Sequence, residues 1–119
     1  MAVAVRLRDD FVRDDEDHGA GRQAEADRYF AKALKAFANR AAAGDVYAMR
    51  RYGDLQYSGQ GESIPGNKPA AFKSYVSAAA GGDETAKLKL ALMQDIGDGV
   101  AQNTAEATRL LKDLVEKPG

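Results

Sequence analysis

These 119 residues contain no cysteine, one histidine and three prolines. Without cysteine there are no disulfides, no thiolate metal sites and no cysteine nucleophiles. The single histidine, His18, lies in an acidic stretch with no second nitrogen or sulfur ligand beside it. It reads as an exposed residue of a charged tail, because neither a transition-metal site nor a Ser-His catalytic pair can be assembled around it. An excess of one charge is missing too: 17 basic and 18 acidic residues leave a net charge of −1. The positive field that generic phosphate-backbone binding requires is therefore absent, and nucleic acid is not an expected partner. No window approaches the roughly 18 consecutive apolar residues of a spanning helix, so no membrane insertion is expected. Met1 to Val5 run straight into Arg6, Arg8 and Asp9, too short an apolar stretch for a signal peptide. A cytoplasmic location follows as the expectation, or a periplasmic one where a leader has been removed.

What the chain does contain is an internal echo. Ala33, Lys35, Phe37, Ala41, Ala42, Gly44, Asp45, Ala48, Leu55, Gly59 and Gly61 return as Ala71, Lys73, Tyr75, Ala79, Ala80, Gly82, Asp83, Ala86, Met93, Gly97 and Gly99, a spacing of 38 residues. Self-similarity at such a period marks a stacked array, in which each unit is one supersecondary element that cannot bury its apolar face alone.

The elements follow from periodicity and punctuation. Residues 1–20 are dense in charge, from Asp9 and Asp10 to Asp17, and Gly19-Ala20-Gly21 should break a helix, so this stretch reads as a solvated, mobile tail. The helical spacing of Val3, Leu7 and Phe11 leaves open a short helix docked on the first repeat. The repeat domain spans 21–117. Its first hairpin, about 22–58, carries the stripe Phe30, Ala33, Leu34, Phe37, Ala38, Ala41 and turns at Gly44, with Asp45 capping the second helix. The second hairpin, about 69–97, repeats this with Ala71, Phe72, Tyr75, Val76, Ala79, Gly82 and Asp83. A closing helix, about 104–116, is capped by Asn103, with Glu106 placed as the far side of a capping box. The helix after Asp83 has two apolar stripes: Ala86, Leu90, Met93 and Leu88, Leu92, Ile96. The second stripe is expected to pack under the closing helix. In copy one the matching positions are Arg50, Asp54 and Ser58, so that layer should be wetter.

These residues resemble the Sel-one-like repeats, relatives of the tetratricopeptide repeats. Ala71, Tyr75, Ala78, Ala79, Gly82, Ala86, Leu90, Gly97, Gly99, Val100, Asn103 and Ala107 follow the family's alanine-rich pattern in order. Ala33, Phe37, Ala41, Gly44, Ala48, Tyr52, Gly53, Gly59 and Gly61 do so in copy one, and the match covers about 30–115. Two departures stand out. Gln56 and Gln94 occupy places where the family usually has an aromatic, which should weaken packing between repeats. Copy one also carries two extra residues, which align Ile64 with Val100 and lengthen a loop. The resemblance implies an all-α fold, a short right-handed α/α solenoid of two hairpins plus a closing helix. It also implies a non-catalytic adaptor or scaffold that binds a protein or peptide in bacterial signalling, secretion or envelope processes, without a cofactor. Two repeats are fewer than such arrays usually need, which leaves room for weak self-association or a longer parent array. An enzyme-associated or hydrolase-like member of the wider family is the alternative from another class, and a purely structural, self-associating module is a third.

The binding candidates lie on the first helix of each unit, opposite the core stripe. Lys35, Lys73 and Arg109 occupy equivalent positions, as do Asn39, Ser77 and Asp113, with Lys32 and Arg40 nearby. Such a ladder would grip an acidic or carboxylate-terminated peptide through charge-assisted hydrogen bonds. A second surface candidate is Tyr47 with Arg51, one turn apart. Asp95 and Glu106 have the spacing of calcium-loop ends, but the intervening Gly97, Gly99 and Val100 supply none of the required side-chain oxygens or turn geometry. The G-x-G steps at Gly59 and Gly97 follow no strand and precede no Lys-Ser/Thr pair, so they read as turns between repeats and not as phosphate cradles.

Overall fold

The computed structural model describes residues 2–116, with side chains described from 21 onward. Five helices account for it: α1 (Ala2–Ala42), α2 (Val46–Ser58), α3 (Lys68–Ala80), α4 (Glu84–Ile96) and α5 (Thr104–Glu116). No strand occurs among the described residues, and no helix there is long and apolar enough to cross a membrane. The chain divides into two units, Met1–Lys32 and Ala33–Gly119.

The first unit is the leading part of α1. Here the expected break at Gly19-Ala20-Gly21 does not occur, and the helix runs through it. Each interior glycine costs only about 1 kcal/mol against alanine, which a long run of good helix formers on either side can absorb. The mobility expected for residues 1–20, and the exposure of His18, lie outside the described side chains. Further along, Gln23 donates to Asp27 (2.9 Å) and the Lys32 ammonium sits 5.2 Å from the ring centre of an exposed Tyr29.

In the second unit the echo becomes geometry. α1 ends in a Schellman turn: the Asp45 amide donates to the Arg40 carbonyl (3.1 Å) and the Gly44 amide to that of Ala41 (3.0 Å), with Gly44 at φ +96°. α3 ends the same way, Asp83 on Ala78 and Gly82 on Ala79 (3.0 Å each), with Gly82 at φ +98°. Only glycine takes that left-handed conformation without cost. Each turn hands directly to an aspartate cap, Asp45 accepting from the Ala48 amide (3.2 Å) and Asp83 from that of Ala86 (2.8 Å). The Asn67 side chain caps α3 through the Ala70 amide, a cap the sequence reading passed over for Pro69.

From α2 onward packing runs in chain order: α2 against α3, α3 against α4, α4 against α5. The core is one cluster built from Ala71, Tyr75 and Ala78 of α3, Ala86, Leu90, Ala91 and Met93 of α4, and Ala107 and Leu110 of α5. Four of its alanines, Ala71, Ala78, Ala86 and Ala91, are 0 % exposed, since a methyl at the crossing lets two axes approach closely.

Three expectations need correction. Leu88, Leu92 and Ile96 do not pack under the closing helix; they are 41, 52 and 71 % exposed. α5 docks instead on the side of α4 that carries Ala91 and Lys87, the latter ion-paired to Asp113 at 2.8 Å. Ala91 permits the close approach that a row of leucines would obstruct. Secondly, Glu106 does not close a capping box. Asn103 accepts from the Glu106 amide, but its own amide donates to the Gln94 carbonyl (2.8 Å) and the Glu106 carboxylate turns to Arg109. Thirdly, the two glutamines differ: Gln56 joins the repeats, its side chain accepting from Ser74 (2.5 Å) and its carbonyl from the Asn67 amide (2.6 Å), whereas the Gln94 side-chain oxygen is buried without a hydrogen-bond partner among the described residues. The two-residue insertion folds into a small turn, with Gln60 and Ile64 exchanging backbone hydrogen bonds.

Candidate functional site

The ladder residues meet different fates. Lys35 and Asn39 are exposed on α1, Lys73 and Ser77 on α3, and Arg109 on α5. Arg109 is committed to Glu106 through two hydrogen bonds, 2.9 and 2.6 Å, which holds the carboxyl of Glu106 below its usual value. Arg40 is likewise bound to Asp45 (2.9 Å) and lies over the Phe37 ring. Ser77 turns its hydroxyl back to the Lys73 carbonyl. Lys32 belongs to the other unit. Lys35 and Lys73 remain exposed cations without an ion pair among the described residues. The second candidate surface is partly committed: Tyr47 meets Phe37 edge-on (centroids 6.5 Å apart), and it is Arg50, not Arg51, that stacks on its ring.

A more elaborate constellation forms where α2, α3 and α4 meet. The positions read as a wet layer are its centre. Asp54 accepts from the Tyr75 hydroxyl (2.6 Å), Lys89 (2.5 Å) and Arg51 (3.2 Å), with Arg50 at 3.8 Å. Arg50 reaches on to Asp83 (2.9 Å), so one aspartate caps α4 with one oxygen and ties α2 to it with the other. The Tyr75 ring is 2 % exposed, with Lys89 over its face at 5.4 Å. Burial first, and the bond to Asp54 second, push the Tyr75 phenol far above its ordinary value.

A second pair of polar groups stands beside it. Asp98 accepts from Lys68 (2.7 Å) and from the Tyr57 hydroxyl. The lysine and then the tyrosine hold its carboxyl below the usual range, while Asp98 raises Tyr57 and Lys68. Between the groups opens a cleft of ≈ 180 Å³ lined by Tyr57, Tyr75, Lys89, Leu92, Met93, Ile96 and Asp98. The cleft is an apolar hollow with a charged, hydrogen-bonded rim, and its one lining carboxylate, Asp98, is engaged by Lys68 and Tyr57. Among the described residues no group of three His, Cys, Asp or Glu could hold a metal ion.

Sequence reasoning located Arg50 and Asp54 but missed Tyr57, Lys68 and Asp98 as a set. Their one signal was the aspartate between Gly97 and Gly99. Gly99 has φ +79°, and a Cβ there would lie 2.4 Å from that of Lys68, so the glycine lets the loop close on α3 and brings Asp98 to its partners. Comparison with known proteins finds no matching family model and no matching curated protein.

Proposed function

We propose that this chain is a non-catalytic module of Sel-one-like type that binds a protein or peptide, its hairpins stacked as a short right-handed α/α solenoid. The packing of α2 on α3, α3 on α4 and α4 on α5, with the duplicate turns at Gly44-Asp45 and Gly82-Asp83, supports the stacking. The binding reading rests on one observation: Lys35 and Lys73, one repeat apart, are both exposed with no ion pair among the described residues. Two such ammonium groups on successive first helices suit a partner with carboxylates at matching spacing, such as an acidic or carboxylate-terminated peptide. Arg109 contributes less, because a new partner must first displace Glu106. The role that follows is that of an adaptor or scaffold, with no cofactor and no catalytic step.

The test is fluorescence anisotropy with a panel of acidic peptides, each bearing a free or an amidated C-terminus. Lys35→Ala with Lys73→Ala should weaken the best binder at least about tenfold, the worth of one charge-assisted hydrogen bond. Arg109→Ala should change it little. Affinity that is indifferent to the double change, or a panel with no binder, refutes the reading.

A further inference from the structure

The 38-residue echo places α2 in register with α4, so what covers a face of α2 indicates what the same face of α4 accepts. On α2 that row is Arg50, Asp54 and Ser58. Its first two members are closed over by the next hairpin, Arg50 by Asp83 and Asp54 by Tyr75 and Lys89. On α4 the row is Leu88, Leu92 and Ile96, apolar throughout and 41, 52 and 71 % exposed. α5 lies on another side of α4, held there by the Lys87–Asp113 pair. No helix among the described residues covers the leucine row.

We propose that this row is a homodimer interface, on which α4 of a second copy packs antiparallel about a twofold axis near Leu92. An isologous contact needs a self-complementary surface. Among the residues whose side chains are described, only α4 offers three large exposed aliphatic side chains in a row; Val76 and Val115 stand singly on their helices. Antiparallel pairing sets Leu88 against the partner's Ile96, and Leu92 against the partner's Leu92. The flanking charges allow it. Lys89 borders one edge of the row and Asp95 the other, each three residues from Leu92. Since like edges meet while the helices run in opposite directions, each charge lies about 9 Å along the axis from its own counterpart, beside aliphatic groups and not against a like charge. Leu92 and Ile96 also line the cleft described above, so the same contact covers its rim. Three aliphatic side chains per copy fall short of the roughly 800 Å² per partner of a standard interface. The dimer is therefore weak and dependent on concentration.

A chain without cysteine makes the test direct. Single Leu88→Cys, Leu92→Cys and Ile96→Cys variants, with Val115→Cys as an exposed control, are treated with a short bismaleimide crosslinker at micromolar to millimolar protein. Leu92→Cys should give covalent dimer well above the control. Leu88→Cys and Ile96→Cys should link poorly alone and efficiently when mixed. In parallel, sedimentation of the unmodified protein should show a dimer that Leu92→Glu abolishes, with helical circular dichroism unchanged because the site is exposed. A strict monomer throughout that range, or a Leu92→Cys yield no higher than that of Val115→Cys, overturns the proposal. So does self-linking of Leu88→Cys in preference to the mixed pair. The row is distinct from the Lys35 and Lys73 positions, so the dimer survives the double lysine change whatever that change does to peptide binding.

Discussion

Asp54 concentrates more of the second unit's polar stabilisation than any other side chain, and removing it tests the account of how the repeats are joined. Its carboxylate is 16 % exposed and takes hydrogen bonds from Tyr75, Lys89 and Arg51. The bonds from Lys89 and Arg51 are partly screened, since those side chains are 37 and 39 % exposed. The Tyr75 bond is not, because that residue is buried. One well-shielded charge-assisted bond is worth about 1.5–3 kcal/mol and each of the two screened pairs about 0.5 kcal/mol, so Asp54→Ala should cost about 2.5–4 kcal/mol. For a domain of this size that lowers the melting midpoint by roughly 10–16 °C. Asp54→Asn keeps an acceptor for Tyr75 and should lose about half as much. Tyr75→Phe removes that shielded bond alone and should cost about 1.5–3 kcal/mol, and the double change Asp54→Ala with Tyr75→Phe should cost measurably less than the sum. Urea unfolding followed by circular dichroism reads all four. If Asp54→Ala costs under about 0.5 kcal/mol, the value of an ordinary surface change, the network contributes nothing and the reasoning fails.

Gly53 lies inside α2 where a Cβ would meet Tyr75 Cε1 at 2.8 Å and Ser74 Cβ at 3.2 Å. Although alanine is the better helix former, Gly53→Ala should destabilise by about 1–2 kcal/mol, because the buried Tyr75 cannot yield; a rise in the melting midpoint would contradict this. The two equivalent caps should separate: Asp45→Ala should cost no more than an ordinary exposed cap, and Asp83→Ala clearly more, since it also releases the half-buried Arg50. Equal losses in urea titrations would show that the Arg50 bridge is idle. Asp98 has its carboxyl lowered from 3.8 by Lys68 and Tyr57. The sign follows: its contribution is full above that ordinary value and is lost as pH falls through the lower folded one. The stability difference between the wild type and Asp98→Asn should therefore be constant near neutrality and shrink in strong acid; a difference that persists there refutes the pairing.

The helices of the second unit were legible because their signals are local. Gly44-Asp45 and Gly82-Asp83 each combine a left-handed stop with a side-chain cap, and α4 starts and ends where that grammar puts it. The α1 glycines misled for the opposite reason: no cap or positive φ accompanies Gly21, and propensity alone is too weak to end a helix. The two stripes of α4 were both visible, but the side that would be covered was not. That depended on α5 approaching over Ala91, a contact between residues whose separation along the chain carries no periodic mark. The cleft was harder still, since Tyr57, Lys68 and Asp98 come from three segments and meet only after the 97–99 turn has closed.

By itself the amino-acid sequence determined the all-helical character of the chain, the 38-residue period, the caps of the second and fourth helices and the wetter face at Arg50 and Asp54, because each depends on neighbours within a turn or two. Only the tertiary structure decided that Asp54 and Asp98 gather partners from distant helices, and that the Leu88, Leu92 and Ile96 row faces outward. Those outcomes depend on which side of a helix its neighbour takes, and the closeness of approach that settles it is a property of two surfaces at once.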